Sequence, residues 1–163
     1  MLGRFYEGQD CSAARALEIV GERWSLLIIR DALFGGLTRF SDFERSLGIA
    51  PNILARRLQA FVAAGIMETR SSGFEHAEYV VTRKGLGFKP VVMALTAWGD
   101  RWAAPEGPPA ILQHDGCGGR VSLRIHCARC GMNPASEDVV ARPSTRRRTP
   151  LPENRGASRW RKT

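Results

Sequence analysis

This chain contains no run of about 18 apolar residues, so its sequence offers no membrane-spanning helix. Its opening stretch, MLGRFYEGQDCS, lacks the apolar segment of a secretory signal, and a cytoplasmic location is expected. Histidine is scarce, with three in 163 residues. No phosphate loop, nucleophile elbow or HExxH pair occurs, and GLGFKP at 85–90 lacks the third glycine of a dinucleotide fingerprint. The chain is therefore not expected to be an enzyme. There are only four cysteines. In a cytosolic chain they point to metal or redox chemistry rather than to disulfides.

The formal net charge of +8 is unevenly spread. Residues 142–163 hold eight Lys/Arg and a single acid, whereas the rest holds sixteen Lys/Arg against fifteen acids. The high isoelectric point belongs to this tail and says nothing about the partners of the remainder. The tail is polar and poor in apolar residues, so it is expected to be disordered.

The 44% hydrophobic content suits one small domain with an appendage. Residues 1–10 read as an irregular arm. A helix is expected from Ser12 to Gly21, capped by Cys11 or Ser12. A second, apolar almost all round and hence central, runs from Ser25 to Phe34 and ends at Gly35-Gly36. Ser41 and Glu44 have capping-box spacing for a third helix that stops at Gly48. Pro51 suits the first position of a fourth, running to about Ala64. IMETRS and AEYVVT, parted by SGFEH, form a β-hairpin. From Thr82 a helix of about twenty residues reaches Trp102, with Pro90 kinking or breaking it. The expected fold is mainly α with a small β-hairpin. Its parts are a domain over 1–103, a linker over 104–110, a Cys/His segment over 111–141 and the tail.

Helix, turn, helix and hairpin is the winged helix-turn-helix pattern. On helix 50–64, Leu54, Leu58 and Phe61 share one side, while Asn52, Arg56, Gln59 and Ala63 share the other. A major groove about 12 Å wide admits one helix, in which Asn pairs with adenine and Arg with guanine in bidentate fashion. Asn52 and Arg56 lie one turn apart near the N-terminal end, the part of a recognition helix that reaches bases. A merely solvated polar face is the plain alternative.

The ordered motifs extend this reading. Cys11, GERW at 21–24, RF at 39–40, GIAPNILARRL at 48–58, GIMETR at 65–70, EYVVT at 78–82 and AWGDRW at 97–102 resemble the HxlR-type family of winged-helix transcriptional regulators. The resemblance covers about residues 10–103. It implies a homodimeric DNA-binding regulator, commonly a repressor, whose dimer contacts come from the first and the long C-terminal helices. Carried onto this chain, it makes 50–64 the recognition helix and 67–82 the wing. Asn52 and Arg56 become the base readers beside Pro51. Arg39, Arg70 and Ser72 become further DNA contacts, and Arg57 reaches a phosphate or an internal acid. An inverted repeat is the expected target. Trp24, Trp98 and Trp102 are assigned to core or dimer interface.

Some members of that family sense oxidants or electrophiles through a cysteine at the position of Cys11. A thiol at a helix N-terminus has a lowered pKa, which suits that chemistry. The plain alternative is a small buried residue. Here Ser12 follows Cys11, where the family often has proline.

His114-x₂-Cys117 and Cys127-x₂-Cys130 have metal-ligand spacing, and the segment resembles a zinc ribbon with a Cys₃His set for one structural zinc. His126 is the poorer ligand. The alternative is a hairpin with reduced cysteines. The basic tail either adds affinity for DNA through counterion release or is simply solvated. A zinc-ribbon module that binds RNA or protein is the competing class of function.

Overall fold

The computed structural model describes Tyr6, residues 11–72 and residues 75–142; the tail expectation for 143–163 lies outside them. The chain divides into two compact units, Met1–Pro109 and Ala110–Thr163. Among the described residues no helix is long and apolar enough to cross a membrane.

The first unit begins with α1 (Ser12–Val20) and α2 (Ser25–Phe34). The ends of α2 fall where the sequence places them, because Gly35 follows the last apolar residue and its N–H caps Asp31 O. Ile28 and Ile29 of α2 are fully buried, which makes this helix central. Next come α3 (Phe40–Leu47) and α4 (Pro51–Ala63), joined by a turn in which Gly48 has φ 58°. Phe43 of α3 and Leu54, Leu58 and Phe61 of α4 close over Ile28 and Ile29 to form one apolar core with Ile66, Met67 and Val92.

One sequence expectation is corrected here. The start of α3 is two residues earlier than the capping box requires: Arg39, not Ser41, is the N-cap, with no side-chain cap bond. The reason is tertiary. Thr38 O accepts from Tyr79 N–H at 2.7 Å, and Arg39 pairs with Glu78 as an extra rung on the hairpin. The backbone is fixed in extended form up to Arg39, so the helix begins immediately afterwards.

The C-terminal helix is broken near Pro90, one of the two outcomes expected there: it is two helices, α5 (Arg83–Leu86) and α6 (Lys89–Trp102), divided at Gly87-Phe88. Pro90 sits in the first turn of α6, where its missing N–H is harmless. Thr82 caps α5 by accepting from Gly85 N–H at 3.2 Å. Its hydroxyl also donates to Gly65 O at 2.7 Å, tying this corner to the end of α4.

The hairpin between these helices consists of β1 (Met67–Ser72) and β2 (Glu75–Val81), antiparallel with Met67 opposite Val81 and Arg70 opposite Glu78. The register shifts between Arg70 and Ser72. Met67, at the start of β1, is buried in the core, while Glu68, Thr69 and Arg70 are exposed as the strand leaves it.

The second unit has little regular structure: two tight turns at 114–117 and 127–130, and a short 3₁₀ turn, Ser136–Asp138. None of its described residues is buried.

Candidate nucleic-acid interface

The side of α4 opposite the core carries Asn52, Arg56, Gln59 and Ala63, all exposed. Pro51 opens the helix, with Ala50 supplying only backbone at the cap. Asn52 Oδ1 accepts from Ile53 N–H at 2.9 Å. Asn52 is the second residue of α4, the helix end where a base reader sits in a helix-turn-helix.

Arg57 is placed differently from the DNA contact expected for it. It is 5% exposed and its Nη2 lies 3.6 Å from Glu22 Oε1. Of the two partners considered, the internal acid is the one it meets. At i+3 from Leu54 and i+4 from Ile53, it sits on the core side of the helix, and its long stem fills space between α4 and the segment before α2.

Arg39 and Arg70 lie on either side of Glu78 in the wing, and both are exposed. Each is paired with a wing carboxylate: Arg39 Nε with Glu78 Oε1 at 3.7 Å, and Arg70 Nη2 with Glu68 Oε1 at 2.7 Å. The sequence reading missed Glu68 and Glu78. The signal was present in the strand period, since Glu68 and Arg70 two residues apart share a face. The Glu78 partnership needed the fold, because it depends on residue 39 pairing with residue 78. Ser72 enters this region as the last residue of β1.

Cys11 is the N-cap of α1 and is exposed, which removes the alternative of a small buried residue. Its thiol makes no cap hydrogen bond of ordinary geometry. The backbone N–H groups of Ala14 and then Ala13, facing the sulfur, hold its pKa below the usual thiol value.

Of the tryptophans, Trp24 is half-buried against the core. Trp98 and Trp102 are 61% and 65% exposed, so a core role is excluded for both. They continue a stripe on α6 with Val91 and Leu95, spaced at helical intervals and exposed.

In the second unit, His114 Nδ1 lies 3.3 Å from Cys117 Sγ. Cys127 and Cys130 flank a turn closed by Gly131 N–H to Cys127 O at 2.9 Å. Among the described residues no three such side chains are gathered closely enough to hold one ion.

The HxlR-like helix-turn-helix family profile matches residues 19–107, which spans α2 to α6. The uncharacterised HTH-type transcriptional regulator Rv3095 of Mycobacterium tuberculosis is 39% identical over 145 residues, covering 87% of this chain and 90% of its own. A match that long takes in part of the second unit as well. The solved structure of PA1607, a candidate transcription factor, is 37% identical with a TM-score of 0.76, covering 84% of this chain and 97% of its own. A second candidate transcription factor, PA1374 of Pseudomonas aeruginosa, is 43% identical with a TM-score of 0.58, covering 83% and 93%. The chain belongs to the HxlR-like helix-turn-helix family.

Proposed function

We propose that this protein is a homodimeric, sequence-specific DNA-binding transcriptional regulator, acting as a repressor on an inverted repeat. The observation that carries this is the division of α4: Leu54, Leu58 and Phe61 are fully buried, while Asn52 and Arg56 stand free of the domain at its N-terminal end. That is the geometry a helix needs to enter a major groove and still belong to its own core. Arg39 and Arg70 set the register on phosphates, and Asn52 and Arg56 read bases. The apolar stripe of Val91, Leu95, Trp98 and Trp102, with Leu17 of α1, supports pairing of two copies. A dimer places two α4 helices about 34 Å apart, in successive major grooves.

Titrating labelled DNA fragments with the full chain, followed by footprinting the tightest one, tests this. The expected result is a protected inverted repeat with half-sites one helical turn apart. Binding without sequence preference would favour a protein- or RNA-binding module.

The wing acids give a further expectation. Glu68 and Glu78 compete with phosphate for Arg70 and Arg39. Glu78→Gln is expected to tighten DNA binding about two- to fivefold, the magnitude of an exposed ion pair, with most of the gain on non-specific DNA. Fluorescence anisotropy on specific and scrambled duplexes measures it. Unchanged affinity would remove Arg39 from the phosphate contacts.

A thiol-based switch is a second reading, favoured by the exposure and lowered pKa of Cys11. A lowered pKa means more thiolate at neutral pH, so the alkylation rate of Cys11 should reach its half-maximum below the pH of an ordinary thiol. Mild oxidation should weaken DNA binding, dithiothreitol should restore it, and Cys11→Ser should be indifferent. An equal oxidant response in Cys11→Ser would reject the switch.

A further inference from the structure

The two turns of the second unit are copies of one another. In the first, Gly118 N–H donates to His114 O at 2.8 Å, and His114 N–H donates to Gly119 O at 2.8 Å. In the second, Gly131 N–H donates to Cys127 O at 2.9 Å, and Cys127 N–H donates to Met132 O at 2.9 Å. These two bonds match in donor, acceptor and offset, thirteen residues apart, and the first turn adds Cys117 N–H to His114 O at 3.2 Å. In each turn a potential ligand stands at the first and fourth positions. A glycine with positive φ follows the fourth, Gly118 at 68° and Gly131 at 72°, a conformation that other residues rarely adopt.

The side chains of the first turn are already spaced as ligands. Zn–N of about 2.0 Å and Zn–S of about 2.3 Å at a tetrahedral angle give an N···S edge of about 3.5 Å. His114 Nδ1 and Cys117 Sγ are 3.3 Å apart. The glycines around them leave the donors uncovered: a Cβ on Gly116 would meet the His114 ring at 3.2 Å, and one on Gly119 would meet Cys117 Sγ at 3.3 Å.

The unit also lacks the usual reason to fold. None of its described residues is buried, and Ile111, Leu123, Ile125, Met132, Val139 and Val140 are all exposed. Segments this small that hold their turns without a core are commonly organised by a metal or by disulfides. The four cysteines of the chain are free thiols.

We propose that the two turns are half-sites for one structural zinc ion per chain, bound by His114 Nδ1 and the thiolates of Cys117, Cys127 and Cys130. Zinc displaces three thiol protons, and its charge of +2 against three thiolates leaves the centre at −1. Four protein ligands leave no open position, so the ion has no catalytic part. Because the two pairs stand apart in this structure, binding draws the turns together around the ion. The proposal does not depend on the DNA-binding reading.

The test is metal analysis of the full chain purified under reducing conditions, followed by exchange of the ion for Co²⁺. One zinc per chain is expected, with a tetrahedral Co²⁺ spectrum carrying thiolate charge-transfer bands. Cys127→Ser should lose a third of that charge-transfer intensity or lose the metal. His114→Cys, which completes a Cys₄ set, should keep it, and so should Cys11→Ser and His126→Ala. Far-UV dichroism of each variant reports whether the helices of the first unit are intact. No stoichiometric metal, a spectrum indifferent to Cys117→Ser and Cys127→Ser, or one ion per two chains with His114 dispensable would each overturn it.

Discussion

Replacing Arg56 with alanine is expected to weaken binding to the specific DNA site by about 10- to 100-fold, because a bidentate contact to guanine is worth roughly 1–3 kcal/mol. Affinity for unrelated DNA should fall much less. The chain without Arg56 should also lose its preference at one base pair of each half-site. Asn52→Ala should relax a neighbouring position, with a smaller effect, since Asn52 Oδ1 must first give up its contact with Ile53 N–H. Arg70→Ala should behave differently. It removes a phosphate contact, so all sequences should weaken together and the dependence on salt should flatten by about one unit of slope. Anisotropy titrations at several salt concentrations, on the operator and on a scrambled duplex, separate these cases. Equal losses on both duplexes for Arg56→Ala would mean that Arg56 contacts backbone only.

The second large effect concerns stability. Phe61→Ala should destabilise the first unit by about 3–5 kcal/mol, a large part of the roughly 5–15 kcal/mol that holds a domain folded. Phe61 is fully buried in the cluster with Leu54, Leu58, Ile28 and Ile29. Its carbonyl also accepts from Ile66 N–H at 2.9 Å, where the chain turns from α4 into the wing. The cavity would therefore open behind the recognition helix and at the root of the hairpin. Gln59→Ala, on the exposed side of the same helix, should stay within about 0.5 kcal/mol of the parent. Urea denaturation measures both. A shifted midpoint with an unchanged slope is expected for Phe61→Ala. A loss below about 1 kcal/mol would mean that the core of α4 is held by something other than this packing.

Much of the fold could be read in the sequence, for identifiable reasons. The bounds of α2 and the start of α4 were legible because Gly35 and Pro51 are strong local signals placed beside apolar runs. The two faces of α4 were legible because the helical period separates Leu54, Leu58 and Phe61 from Asn52 and Arg56 without exception. The clearest miss was tertiary. The capping box at Ser41 lost to the rung between Arg39 and Glu78, which no local pattern encodes. The break that Pro90 signalled in the helix from Thr82 was legible, and it falls at Gly87-Phe88, just ahead of the proline. Arg57 adjoins Arg56 in sequence and has the same chemistry, yet one step of 100° carries it from the exposed side of the helix to Glu22. In the second unit the ligand spacing was legible, whereas the matching backbone turns that support it appeared only in three dimensions.

The central claim is that α4 presents Asn52 and Arg56 to base edges. Footprinting on the tightest genomic site, with the parent chain and with the Asn52→Ala/Arg56→Ala double variant, tests it most directly. A protected inverted repeat is expected for the parent. The double variant should be folded, by dichroism, and should leave the same repeat unprotected at the parent's working concentration. An unaltered footprint from the double variant would contradict that claim.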